Sequence, residues 1–211
     1  MANQVLKIIR ERRSHFRFKS TPINAEQINI ILEAGRWAPS WANTQPWRFI
    51  LIKDEAIKEK ICRALATFSN ISIKDAPICV AICVNSNVDQ FHFIEDGAVA
   101  TQNMALAAQS IGLGTCWIGV FSLYDEKKSA ERKIKEILKV PDHWRLISIL
   151  PLGVPKFEET QSRKELPDII DSNNFSSKEK KYPERKTKKQ ESTEKKFLTP
   201  SSARELESAI V

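Results

Sequence analysis

Apolar residues recur at helical spacing near the start of the chain, where Val5, Leu6, Ile8 and Ile9 share a face of a helix predicted over Asn3–Arg13 that closes on a cationic turn. The pattern restarts at Asn24, an expected N-cap with Gln27 at capping-box spacing and Ile28, Ile31 and Leu32 as a buried stripe. Gly35 and Pro39 are expected to end that helix. The runs "WRFILIK" and "APICVAICV" are apolar and β-rich, so they read as buried strands around a helical pattern from Glu55 to Phe68. The Ala-rich stretch Phe91–Ile111 predicts a central helix whose small side chains permit close approach of a neighbour, as at a subunit interface. After "GLGTCWIGVF" come a charged amphipathic helix over Asp125–Leu138 and a strand in "HWRLISILPLG". Helices and strands mix without a strict βαβ rhythm, which predicts an α+β fold.

Beyond Ile170 the apolar positions nearly vanish, and such a segment cannot offset its own ordering entropy. A core domain over residues 1–171 and a charged, disordered or linking extension over 172–211 are therefore expected. Within the extension, "SSARELESAI" has Ser202 and Glu205 at capping-box spacing and Leu206 and Ile210 four apart, a short helix that a partner surface would stabilise.

Composition narrows the class. With 211 residues and 42% apolar content the chain can bury one substantial core. No run approaches the roughly 18 apolar residues of a membrane span, and the N-terminus lacks the pattern of a signal peptide, so a cytoplasmic protein with no membrane partner is expected. Cys62, Cys79, Cys83 and Cys116 form no CxxC pair and have no histidine at zinc-ligand spacing, so reduced, mostly buried thiols and no metal site are expected. Of the net charge of +7, ten Lys/Arg against six Asp/Glu after residue 171 supply +4. The core is thus only mildly basic, which weighs against nucleic acid as a partner.

Hydrolytic and nucleotide-triphosphate chemistry lose ground because GxSxG, HExxH and GxxxxGK[ST] are absent, and "GLG" at Gly112–Gly114 follows a helix and lacks a third glycine. His15, His92 and His143 are scattered without an evident Ser or Cys partner. What remains is a set of binding residues without a nucleophile. Arg12, Arg13 and Ser14 bring two guanidinium groups and a hydroxyl to a helix-to-loop junction, chemistry suited to a phosphate monoester. The competing reading is that the arginines merely complement the negative end of the helix dipole. The loop "PSWANTQPW", Pro39–Trp47, supplies amides that match a heterocycle of alternating C=O and N–H groups, and indole faces that stack on flat rings. A nucleotide-like aromatic ligand with a phosphate tail satisfies both fragments.

Together, "RRS", "APSWANTQPWRF", "GLGTCWIGVF" and "LGVP" followed by "QSRKELPDII" resemble the FMN-dependent nitroreductase family, in the family's order, from Ile8 to about Ile170. The resemblance implies a nitroreductase-like fold with a central, mostly antiparallel sheet flanked by helices, in a domain-swapped homodimer with flavin sites at the subunit interface. Arg12, Arg13 and Ser14 then match contacts to the FMN phosphate and ribityl chain, and Arg163 the arginine that returns to the phosphate. Ser40, Trp41 and Asn43 resemble the loop that reaches the flavin bound mainly by the other subunit, with Gln45, Pro46 and Trp47 fixing it. Trp117, Ile118 and Gly119 match the segment passing the reactive edge of the ring, and Asn70 an amide on its pyrimidine edge.

Two positions depart from the family pattern. Phe16 stands where a Lys or Arg often lies near the flavin N1/O2 edge, with Arg17 next along, and Gln161 stands where a second cation often accompanies the C-terminal arginine. Loss of a cation at N1/O2 lowers the reduction potential unless Arg17 or a dipole substitutes. The implied activity is hydride transfer from NADH or NADPH through FMN to nitroaromatics, quinones or similar flat acceptors, by ping-pong kinetics and with no side chain required as acid or base. Relatives of this fold that cleave flavin, dehalogenate iodotyrosine or reduce a deazaflavin precursor are one alternative, although Asp75–Phe91 carries no large insertion. A nucleic-acid or partner-binding role of the Lys-rich tail is another.

Overall fold

The computed structural model describes residues 3–65, 70–122 and 129–175, which fall into two units, residues 1–161 and 162–211. The first unit is built on five antiparallel strands. β1 (Trp47–Ile52), β2 (Ile78–Asn85), β5 (Trp144–Gly153) and β3 (Gly114–Thr115) lie in that spatial order, and β4 (Ile118–Gly119) also pairs with β5. The unbroken apolar run of β2 follows from its position: both faces of the strand are covered. Ile78, Val80 and Ile82 pack with Ile28 and Ile31 of α2 (Ala25–Arg36) and with Met104 and Ala108 of α5 (Phe93–Ser110). Cys79, Ala81 and Cys83 face the other helical layer, with Ile61 of α3 (Glu55–Leu65), Ile73 of α4 (Asn70–Asp75) and Ile134 of α6 (Ala130–Leu138). This is the expected α+β arrangement, a sheet between two layers of helices.

The register slips once. Ile82 pairs with Ser148 and Cys83 with Leu146, leaving Ile147 as the extra residue of a bulge. Ile147 turns toward Val84 and Phe93, and Ser148 brings its hydroxyl within 2.8 Å of Thr101 on α5.

The N-caps follow the sequence pattern. Asn24 accepts from the backbone N–H of Gln27 while the Gln27 side chain accepts from that of Asn24, the complete capping box. Asn3 caps α1 (Gln4–Glu11), accepting from Val5 and Leu6 N–H. Gly35 differs from expectation. It lies inside α2, one residue before its end, and its missing side chain makes room for Met104 and the ring of Phe49. Pro39 follows the helix, as expected. The sequence pattern does not predict α4, and the expected ends of the helices at 66–68 and 125–128 lie outside the described residues.

Gly97 serves α5 as Gly35 serves α2. A Cβ there would sit 2.5 Å from Cγ1 and 3.1 Å from Cβ of Ile147, a branched side chain with little room to yield. Gly97→Ala should therefore destabilise the protein by about 1–2 kcal/mol, because overpacking outweighs the helix propensity gained. A thermal midpoint lowered by about 3–6 °C would be the measured result.

α1 presents a different picture. It is strongly amphipathic, yet Val5, Leu6 and Ile9 are all exposed. In the second unit the described residues include a short 3-10 turn, Leu166–Ile169. The residues expected to form the terminal helix lie outside those described. No helix among the described residues is long and apolar enough to cross a membrane.

Candidate functional site

The cationic junction is built by the end of α1. Arg12 leaves helical geometry, with ψ 131, while its N–H still bonds the carbonyl of Ile8 at 2.9 Å. The Nη1 of Arg13 folds back to donate to the carbonyls of Arg10 and Arg12, the latter at 2.8 Å. One guanidinium therefore caps the helix, as the dipole reading expects. That reading does not account for the whole side chain, because Nε of Arg13 is buried without a partner. A buried charged donor of this kind calls for an acceptor.

Ser14 bridges in parallel to Thr115, and the His15 N–H donates to the Thr115 carbonyl at 2.8 Å. The approach is close enough to exclude a side chain at Gly114, whose Cβ would lie 2.7 Å from both the His15 ring and Pro155. The bridge brings "RRS" to the start of the segment that carries Trp117, Ile118 and Gly119. Ile118 is buried and pairs with Ile149, Trp117 is 39% exposed, and no atom lies within 4 Å of where a Gly119 side chain would begin. Phe16 packs against the apolar layer below, while Arg17 forms an ion pair with Asp75 at 3.1 Å. Arg17 is thus committed to a carboxylate.

Burial lowers the pKa of His15 from the usual 6.5, opposed by the charge of Glu159 and a hydrogen bond to the Phe157 backbone. The fold favours its neutral form, so His15 contributes stability above pH 6.5 that is lost as pH falls through its lowered folded value. Urea midpoints of the parent should drop with acidification in that window, and His15→Gln should flatten the drop.

The loop after α2 is strained. Ala42, Asn43 and Gln45 have φ of 46, 56 and 48°, left-handed values that non-glycine residues adopt rarely. Its hold is local and specific. Ser40 Oγ accepts from the Gln45 N–H at 2.9 Å, the Gln45 amide reaches Asn43 Oδ1 at 3.3 Å, and the Trp41 N–H donates to Asp96 Oδ1 at 3.1 Å. Asp96, on the first turn of α5, is buried and its Oδ2 has no partner. Burial pushes its pKa up, against the pull of the Trp41 N–H. Trp41 is 53% exposed, and its ring stacks on His92, with centroids 5.3 Å apart and planes 5° from parallel.

Asn70 opens α4 beside a cavity of about 700 Å³ shared with Lys58, Cys62, Arg63 and Lys74, and its Oδ1 is buried without a partner. Arg163 belongs to the second unit, where it is exposed and its Nη1 donates to the Ser162 carbonyl at 3.0 Å. The chain thus joins Arg12–Ser14 to Trp117–Gly119, and ties Ser40–Gln45 to α5. Burial disfavours the thiolates: it pushes Cys79 and Cys83 up to about 12 and raises Cys116 and Cys62. Among the described residues, no group of three or more His, Cys, Asp or Glu is placed to hold a metal ion.

Sequence reasoning missed Asp96, Asp89 and His92. "FIED" looks like the acidic first turn of any helix. Only the tertiary contact with Trp41 gives it a further part.

Unsatisfied buried donors and acceptors and exposed indoles thus lie together on an α+β protein. The comparison with known proteins gives that class its family. The profile of the Nitroreductase family matches residues 9–72 and 64–154, and the chain belongs to this family. It is 33% identical over 153 residues to a protein of Methanothermobacter thermautotrophicus assigned provisionally as an NADH dehydrogenase/NAD(P)H nitroreductase, a match covering 72% of this chain and 77% of the other. An FMN-dependent nitroreductase from Clostridium difficile R20291 superposes with a TM-score of 0.74 at 27% identity, over 81% of this chain and 99% of that one. A provisionally assigned nitroreductase from Desulfovibrio desulfuricans, solved in complex with FMN, gives 0.71 at 26% identity over 83% and 100%.

Proposed function

We infer that the protein is an FMN-dependent oxidoreductase that takes its electrons from NADH or NADPH. The observation that carries this reading is the buried, unpartnered Nε of Arg13, set beside Ser14 in a junction bridged to β3. An anionic oxygen of a phosphate supplies the missing acceptor, with Arg12 and the Ser14 hydroxyl alongside. FMN, when bound, supplies hydride chemistry, passing a hydride from the nicotinamide to a flat acceptor such as a quinone or a nitroaromatic. The protein positions and excludes water. Asn70 offers its unpartnered Oδ1 to the pyrimidine edge, the open side of Gly119 admits a ring, and Trp117 supplies a flat wall.

The same reading makes the protein a homodimer, in which Ser40, Trp41, Asn43 and Gln45 reach the partner's cofactor. The exposed stripe of Val5, Leu6 and Ile9 supports this, because an amphipathic helix with no buried residue lacks its other half. One site serving donor and acceptor in turn gives ping-pong kinetics. We place the boundary of the catalytic domain at residue 171, the protein in the cytoplasm, and the tail beyond as accessory.

Purified protein should be yellow, and its FMN should bleach anaerobically on addition of NADH or NADPH. A colourless protein that ignores added FMN would end the proposal.

A further inference from the structure

His92 has the arrangement of a working imidazole, although the sequence gives it no role. Its Nδ1 lies 2.8 Å from Oδ2 of Asp89, a carboxylate 6% exposed that also accepts from the backbone N–H groups of Phe91 and His92. Those backbone donors and the imidazole hold Asp89 below the ordinary carboxylate range against the desolvation that would raise it, so it is ionised and only accepts. The proton of the neutral ring is therefore on Nδ1. Nε2 makes no hydrogen bond among the described residues, and the side chain is 38% exposed.

The ring is also fixed in place. It stacks on Trp41 at 5.3 Å, and Phe91 meets it edge-on at 6.4 Å. Trp41 in turn is tied by its N–H to Asp96. A carboxylate fixing one imidazole nitrogen and leaving the other to solvent beside an exposed aromatic wall is an arrangement suited to proton donation. The charged groups around it are Asp89 on its own loop and Glu95 and Asp96 on the first turn of α5, while the loop Ser40–Gln45 carries none.

We propose that His92, oriented by Asp89, meets the oxygen of a flat acceptor lying against Trp41, in the site that the loop Ser40–Gln45 completes, and gives that oxygen the proton its reduction requires. The proposal rests on the oxidoreductase reading above. When a quinone receives a hydride, one oxygen carries a negative charge until a proton reaches it. The Nε2–H bond of the imidazolium breaks as the O–H bond forms, leaving a neutral ring that keeps its proton on Nδ1, hydrogen-bonded to Asp89. Two electrons leave NAD(P)H and end in the hydroquinone, and solvent recharges Nε2. This makes His92 a catalytic residue of the acceptor half-reaction, and Asp89 a positioning residue.

His92→Phe keeps a flat ring on Trp41 and removes both nitrogens, and Asp89→Asn keeps the size of the side chain while weakening its hold on Nδ1. Three measurements use the FMN-loaded protein with 1,4-naphthoquinone as probe: bleaching by NADH, reoxidation by the quinone from about pH 5.5 to about 8.5, and the imidazole 15N resonance of His92 when quinone is added to oxidised protein. Parent reoxidation should slow through one ionisation as pH rises, and the Nε2 resonance should shift with quinone. His92→Phe should reoxidise about 100-fold more slowly at the acid end with no pH dependence, read against its own rate of bleaching by NADH. Asp89→Asn should fall between the two. An unchanged pH profile in His92→Phe together with an unmoved resonance overturns the proposal while leaving the oxidoreductase reading intact. A chain that takes up no FMN overturns both.

Discussion

Arg13→Ala is expected to weaken FMN binding about 100-fold, or about 2.7 kcal/mol, the range for truncating one partner of a charged, buried hydrogen bond. Two functions of the side chain have to be separated. Nη1 closes the end of α1 on the carbonyls of Arg10 and Arg12, whereas Nε points into the interior without a partner. Arg13→Lys keeps the charge and loses the fork, so its affinity should lie between parent and alanine variant. Flavin fluorescence titration reads the affinity, and circular dichroism of the apoprotein reads the helix. If the alanine variant binds FMN as tightly as the parent, the guanidinium is a helix cap only.

Glu131→Ala should be the most damaging single change away from the site, lowering stability by about 3 kcal/mol and the thermal midpoint by about 6–12 °C. Glu131 is 3% exposed and clasps Arg145 with both oxygens, at 2.8 and 2.9 Å, while accepting from the Leu146 N–H at 3.0 Å. The guanidinium lies over the rings of Phe121 and Phe93, with centroids at 4.4 and 5.7 Å. Removing the carboxylate leaves a half-buried cation on aromatic faces without its bidentate partner. Urea unfolding with an unchanged m-value would show that native stability has fallen and not the compactness of the unfolded chain. A loss under 1 kcal/mol would mean that water or a neighbour takes the carboxylate's place.

Most of the scaffold was readable from local pattern. Asn24 and Gln27 announce a capping box because both hydrogen bonds depend on residues three apart. The unbroken apolar run of β2 betrays a strand covered on both faces. The cationic junction was readable for the same reason: its residues are adjacent in the chain. What stayed hidden depends on distant partners or on backbone geometry. Gly35 looked like punctuation, yet its meaning is the nearness of Met104. The slip at Ile147 leaves no mark in the local sequence of β5. No glycine marks the left-handed turn at Ala42, Asn43 and Gln45, so nothing in the composition signals its strain. Asp96, Asp89 and His92 gain their parts only where α5 meets a loop some fifty residues away in sequence, as in the bond from Trp41 to Asp96.

The two glycine contacts of the helix layer bear on how this protein could be re-engineered. Gly97 seats α5 against Ile147, and Gly35 seats α2 against Met104 of the same helix, so α5 is keyed on two sides and resists sliding along its axis. Asp96 is the residue next to the first key, and it carries the backbone of Trp41. The core thereby acts as a gauge block for the indole wall. Exchanging the side chain at position 41 changes the texture of that wall at a fixed height, whereas a substitution at 97 shifts the datum from which the height is measured.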